Sequence, residues 1–185
     1  METTLNTPRL DPSWLGPLAR VPRSGWGALT SELARTWLAM HESLRHGQRE
    51  LERLGQRWQA RQIDWMGFRR EALPLLTAHL GHLHGHHRLE DQHYFPALRR
   101  ADPNLARGFD LLAADHQQLD ALLRSLDGLH RQLANANPAE AAAWQCAHDL
   151  VREAQALGPV MLRHLHDEED LVIPLLALHD QRQAA

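Results

Sequence analysis

The sequence is nearly without cysteine. Its single thiol, Cys146, rules out an internal disulfide framework and a thiolate zinc site. An excess of charge of one sign is missing too. Twenty Lys plus Arg stand against 23 Asp plus Glu, a formal net charge of −3, so nothing favours nucleic acid as a partner. No run of about 18 apolar residues is present to span a bilayer. The start, "METTLNTPRLDPSWLG", lacks the basic-then-apolar pattern of a secretory signal. A cytoplasmic protein without membrane contacts is the expectation. Valine and isoleucine are scarce and no stretch alternates apolar with polar residues, which argues against β-structure. With 185 residues, 43% of them hydrophobic, the chain can still bury a sizeable core. The residue in excess is histidine, with 14.

Residues 1–29 hold four prolines and three glycines and predict an irregular N-terminal arm. Trp14, Leu15 and Trp26 would pack it on the body; a free tail is the alternative. Residues 30–182 predict four helices. The first runs from about Ser31 to Gln62, with Leu33, Trp37, Leu44 and Leu51 on one stripe. The second occupies about 68–100, with Pro74 in its first turns or at its true start. Asp102 and Pro103 give the third a cap and a first residue, and Leu105, Phe109, Leu112, Leu119, Leu123 and Leu126 carry its period to about Leu133. Asn137, Pro138 and Glu140 repeat that signal for a fourth reaching about His179. Four long amphipathic helices with short connections predict an all-α, antiparallel up-down-up-down four-helix bundle.

Two stretches carry the chemistry, "HLHGHHRLEDQHYFPAL" from His82 and "HLHDEEDLVIPLLAL" from His164. Aligned on Pro96 and Pro174, each has a histidine ten residues upstream (His86, His164) and a glutamate six upstream (Glu90, Glu168). Residues four apart lie one turn apart on one helix face. His164 and Glu168 share a stripe with Leu157, Met161, Leu171 and Leu175; His86 and Glu90 share one with Leu76, Leu83 and Ala97. Both pairs therefore point inward, where an uncompensated carboxylate costs several kcal/mol. A metal ion would satisfy both pairs at once; internal His–Glu hydrogen bonds are the alternative.

The other two helices add His116, on the stripe of Phe109, Leu112, Leu119 and Leu123 with Asp120 one turn on, and His41, at the margin of its stripe. Carboxylate plus imidazole from four helices describes a di-iron or di-manganese site, with glutamates able to bridge and histidines to cap. Such donors suit iron, manganese or zinc, and the inventory exceeds the roughly four ligands of one zinc ion.

The pieces "MHESLR", "HHRLEDQHYFPAL", "DHQQLDALL" and "HLHDEEDLVIPLL", one per helix over about residues 35–180, resemble the bacterial hemerythrin-like (HHE cation-binding) domains. That resemblance implies two iron ions without haem in a four-helix bundle, with Glu90 and Glu168 as bridging carboxylates. It also implies binding or sensing of dioxygen, or of another small diatomic or peroxide ligand. A di-iron oxidase, a peroxidase-like or nitric-oxide-handling enzyme, and an iron buffer are the alternatives within it.

The sequence departs from the oxygen-carrying invertebrate hemerythrins, which have five histidines, two of them as His-x-x-x-His on the third helix. Asp120 stands in place of the second of those. His164 can take Glu168 or Glu169, and His87 occupies a position that supplies an extra ligand in some relatives. One metal is thus left for His87, Asp120 or water to complete. Of the remaining histidines, His79, His82 and His93 are expected to line the pocket or be partly exposed. His84, His166 and His179 are expected in solvent. No motif supports His46, His130 or His148. Tyr94 is expected to pack or to donate a hydrogen bond to a carboxylate.

Overall fold

The computed structural model describes residues 9–183. After short helical turns at Pro12–Leu15, α1 (Gly16–Arg20) and Arg23–Ala28 come the long helices α2 (Glu32–Gln59) and α3 (Trp65–Leu89). A π-helical turn, Glu90–Tyr94, joins α3 to α4 (Phe95–Ala101); a 3-10 turn, Pro103–Leu105, leads to α5 (Ala106–Asn135), and α6 (Ala141–Gln183) follows. Helices α2, α3, α5 and α6 form the four-helix bundle, and the described residues contain no strand. Among them no helix is long and apolar enough to cross a membrane.

The helix starts follow the local chemistry. Asp102 accepts the Asn104 amide at 3.1 Å with Pro103 next in line, so the free amides at that end are partly satisfied where proline costs nothing. Asn137 accepts the Ala139 amide at 3.1 Å, and α6 starts after the turn that this bond closes. Pro74 lies inside α3 and does not begin it; α3 starts at Trp65, where Asp64 accepts the Gly67 amide at 2.7 Å.

One departure from simple periodicity bears on function. The π turn has the Phe95 amide bonded to the Glu90 carbonyl, five residues back, and so adds a residue to the helical repeat. The inward face is displaced accordingly. Ala97, expected on the stripe of His86 and Glu90, is exposed, and Phe95 and Leu98 are buried in its stead. Leu33 is likewise outward, 39% exposed, with Ala34 and Trp37 inward.

By backbone packing the chain falls into two compact units. One comprises the described parts of Met1–Glu42, Leu89–His116 and Leu162–Ala185. Its core joins Trp37, Phe95, Leu105, Phe109, Leu112 and Leu171 to Leu10, Val21 and Trp26 of the arm, with Trp14 and Leu15 packed alongside. The described part of the arm is therefore docked, each fully buried side chain contributing roughly 1.5–3 kcal/mol. The other unit comprises Ser43–Arg88 and Gln117–Met161. There Trp58 packs on Phe68 at 4.9 Å and stacks on Trp144 at 5.4 Å, and Trp65 Nε1 donates to the Ala143 carbonyl at 3.1 Å. Gly47 allows α3 to come so close to α2 that a Cβ there would meet His79 Nδ1 at 2.5 Å.

Candidate metal centre

Inward faces of the four long helices and the π turn bring seven histidine and glutamate side chains into two groups. His41, His86, Glu90 and Glu168 form one; His87, His116 and His164 form the other. In each group one ligand atom per residue lies within 4.8 Å of all the others, and all seven residues are buried. His86 and His87, adjacent in sequence, contribute to different groups. The last turn of α3 thus supplies both, with ring centroids 5.5 Å apart.

The glutamates reach across the two groups. Glu168 Oε1 is 3.3 Å from His41 Nε2, and Glu168 Oε2 is 3.3 Å from His164 Nε2. Glu90 belongs with His41 and His86, yet its Oε2 is 3.4 Å from His116 Nε2. Trp37 Nε1 donates to Glu168 Oε1 at 2.6 Å and fixes which oxygen faces His41. His116 Nε2 and His164 Nε2 face each other at 3.2 Å.

The electrostatics favour positive charge beside the carboxylates. Burial, and then the neighbouring Glu168, push the Glu90 carboxyl well above the usual range. Two buried carboxylates held this close repel each other unless positive charge lies between them. Burial alone would lower His41, but Glu168 and Glu169 outweigh it and raise the group to about 9. His164 rises by the same competition, with Asp115 and Glu168 outweighing burial, whereas burial and then the charge of His164 lower His116. Five imidazoles and two carboxylates fit iron, manganese or zinc. Cys146 Sγ, directed to the Leu129 carbonyl at 3.5 Å, is in neither group.

The outer nitrogens of three of these histidines meet carboxylates. His41 Nδ1 lies 3.0 Å from Glu169 Oε1 and His116 Nδ1 2.9 Å from Asp91 Oδ1. His164 Nδ1 lies 3.6 Å from Asp115 Oδ2, an ion-pair distance and too long for a hydrogen bond. Such partners fix the tautomer and ring plane of a ligating imidazole. Two of the acids are held in turn by the arm. Arg9 takes Asp115 in a fork, Nη1 to Oδ1 at 2.9 Å and Nη2 to Oδ2 at 2.6 Å, while its Nε donates to Asp167 Oδ2 at 2.8 Å. Arg23 Nη1 donates to Glu169 Oε2 at 3.0 Å, its Nε to Asp170 Oδ1 at 2.7 Å and its Nη2 to the His166 carbonyl at 2.8 Å. Although burial pushes the Asp115 carboxyl up, Arg9 and His164 hold it well below the usual range.

All six residues singled out most strongly by sequence (His41, His86, Glu90, His116, His164 and Glu168) lie in the two groups, and His87 joins them. Asp120 is half-buried and in neither group, and Glu169 sits behind His41. His79 is buried, with the Gly47 backbone beside it, while His93 and His166 are exposed. His84 is half-buried and pairs with Asp127 at 3.1 Å. Tyr94 packs edge-on against Trp37 at 4.7 Å. Sequence reasoning missed Asp91, Asp115, Arg9 and Arg23. Each acid adjoins a ligand candidate in sequence, and that adjacency was the available signal. The arginines left none, since their partners are more than 100 residues away.

Among known families, the one described as Hemerythrin HHE cation binding domain matches residues 32–177. No curated protein and no solved structure matches the chain.

Proposed function

The chain belongs to the hemerythrin HHE cation-binding family, and from that membership we propose that it binds dioxygen, or a related small diatomic or peroxide ligand, at two iron ions. Residues 30–182 are read as the metal-binding domain and 1–29 as its arm, in a cytoplasmic protein. His41 and His86 would hold one ion and His87, His116 and His164 the other, with Glu90 and Glu168 shared. Bound iron would supply the electrons and the coordination position that a diatomic ligand needs.

The observation that carries this reading is the split of the Glu168 carboxylate, one oxygen 3.3 Å from an imidazole of each group. A carboxylate with one oxygen toward each group is placed to serve an ion in both. The chain's own residues do the rest. Trp37 orients that carboxylate by donating to Oε1. Asp91 and Glu169 hold the outer nitrogens of His116 and His41, leaving Nε2 of each directed inward. Phe95 stacks on His116 at 5.4 Å and the apolar packing around it excludes water. Five imidazoles equal the number that the resemblance attributes to oxygen carriers, with His87 on α3 supplying the fifth where carriers have a second histidine on the third helix. That supports reversible binding over oxidative turnover.

The test is to load the reduced protein with iron anaerobically, admit air, and then remove oxygen under argon while recording the visible spectrum. A spectral change that reverses on deoxygenation is expected. A change that persists, with continuing oxygen consumption in the presence of a reductant, would replace the binding reading with an oxidase one.

A further inference from the structure

We propose that Arg9 and Arg23 are positioning residues for the metal pair, so that docking of the N-terminal arm sets the geometry of one histidine in each group. This rests on the di-iron reading above and adds a role for the arm to it. Three observations converge. Each arginine holds a buried acid, Asp115 or Glu169, that faces the outer nitrogen of a candidate ligand, His164 or His41. The two histidines belong to different groups, so the arm acts on both. The arm is also anchored independently of these charges, because Leu10, Val21 and Trp26 are part of the buried core.

The chemistry follows from how an acid behind an imidazole works. The carboxylate fixes the ring plane and, through its own charge, sets how strongly the ring donates electrons to a metal. A guanidinium gripping that carboxylate by a planar fork fixes its position and draws off part of its charge. Arg9 also ties Asp115 to Asp167, and Arg23 ties Glu169 to Asp170 and the His166 carbonyl. Arg9 thereby fastens Asp115 of α5 to α6 between His164 and Glu168, and Arg23 holds Glu169 against its own stretch of α6. Without Arg9, Asp115 and Asp167 would repel, and the acid behind His164 would be free to swing away.

The experiment is an anaerobic titration of the full chain with Co(II), read by its visible d–d bands, on the parent and on Arg9→Gln, Arg23→Gln, Arg9→Lys and Asp115→Asn. The parent should take up two ions. Arg9→Gln and Arg23→Gln should each weaken binding by roughly tenfold or more and alter the band shape. Arg9→Lys should recover part of the affinity, because the charge is restored without the fork. In the Asp115→Asn background, Arg9→Gln should add less than about twofold, since the arginine acts through that acid. An arginine that only fastened the arm would weaken the Asp115→Asn protein as much as the parent, and that additivity would overturn the proposal. So would unchanged affinity and bands in both glutamine variants of a protein that still takes up two ions. Failure of the parent itself to bind Co(II) would instead remove the metal reading on which the proposal stands. Should Arg9→Gln not fold, Arg9→Lys and Arg23→Gln decide the same question.

Discussion

Replacing Glu168 by glutamine tests the shared carboxylate with almost no change of shape. Trp37 Nε1 donates to Glu168 Oε1, so the amide of the variant must keep its oxygen on that side. Its NH2 group then turns toward His164 Nε2, where Glu168 Oε2 lies 3.3 Å away in the parent. An NH2 group cannot ligate a metal, so the loss should fall on the group of His87, His116 and His164. Removing one partner from a buried charged set costs roughly 3–5 kcal/mol. At about 1.4 kcal/mol per tenfold, that is two to three and a half powers of ten in affinity. Competition with a chelator of known affinity should therefore show one ion retained and the second lost at micromolar metal. Glu169→Gln should be milder, roughly 10- to 100-fold, because that residue touches His41 only from behind. Two ions bound to Glu168→Gln as tightly as to the parent would refute the shared role.

Further expectations follow from the same contacts. Burial lowers His79 from 6.5 to about 4, so it stays neutral in the fold while the unfolded chain takes up a proton below about pH 6.5. The fold of the metal-free chain should lose about 2 kcal/mol through this group between pH 7 and pH 5. Urea denaturation at the two pH values should show that increment missing in His79→Leu; an equal loss in both proteins would exclude the group. Gly47→Ala should destabilise by about 1–2 kcal/mol after the gain in helix propensity, because its Cβ meets His79 Nδ1 at 2.5 Å. Gly81→Ala, with nothing within 4 Å of a Cβ, should stabilise by roughly 0.5–1 kcal/mol. Thermal denaturation separates the two, and like signs would be wrong. Asp120→Asn should leave metal content unchanged, whereas His87→Ala should lose an ion; elemental analysis of both variants distinguishes them.

The four helices and both His–Glu pairs were legible because burial follows the 3.6-residue period, and His164, Glu168 and Met161 stand on one stripe whatever lies opposite. His116 was legible for the same reason, sitting amid Leu112 and Leu119. His41 was legible only through the "MHESLR" resemblance, since its place at the stripe margin said nothing of the two acids on α6 that surround it. The π turn was hidden because no composition marks it: the proline six residues after Glu168 sits in an uninterrupted α-helix, while the one after Glu90 follows the wide turn. That extra residue is why Leu98 and not Ala97 faces inward. The pairing of Arg9 and Arg23 with α5 and α6 was beyond local pattern altogether, because it depends on where the arm comes to rest.

The most direct measurement is the iron-to-protein ratio after anaerobic reconstitution and removal of loosely bound metal. Two buried groups of histidines joined by Glu90 and Glu168 should retain two iron ions per chain, released together when Glu90 is replaced by alanine. A ratio of one or less in the parent, or two ions that survive the loss of Glu90 unchanged, would contradict a carboxylate-bridged pair.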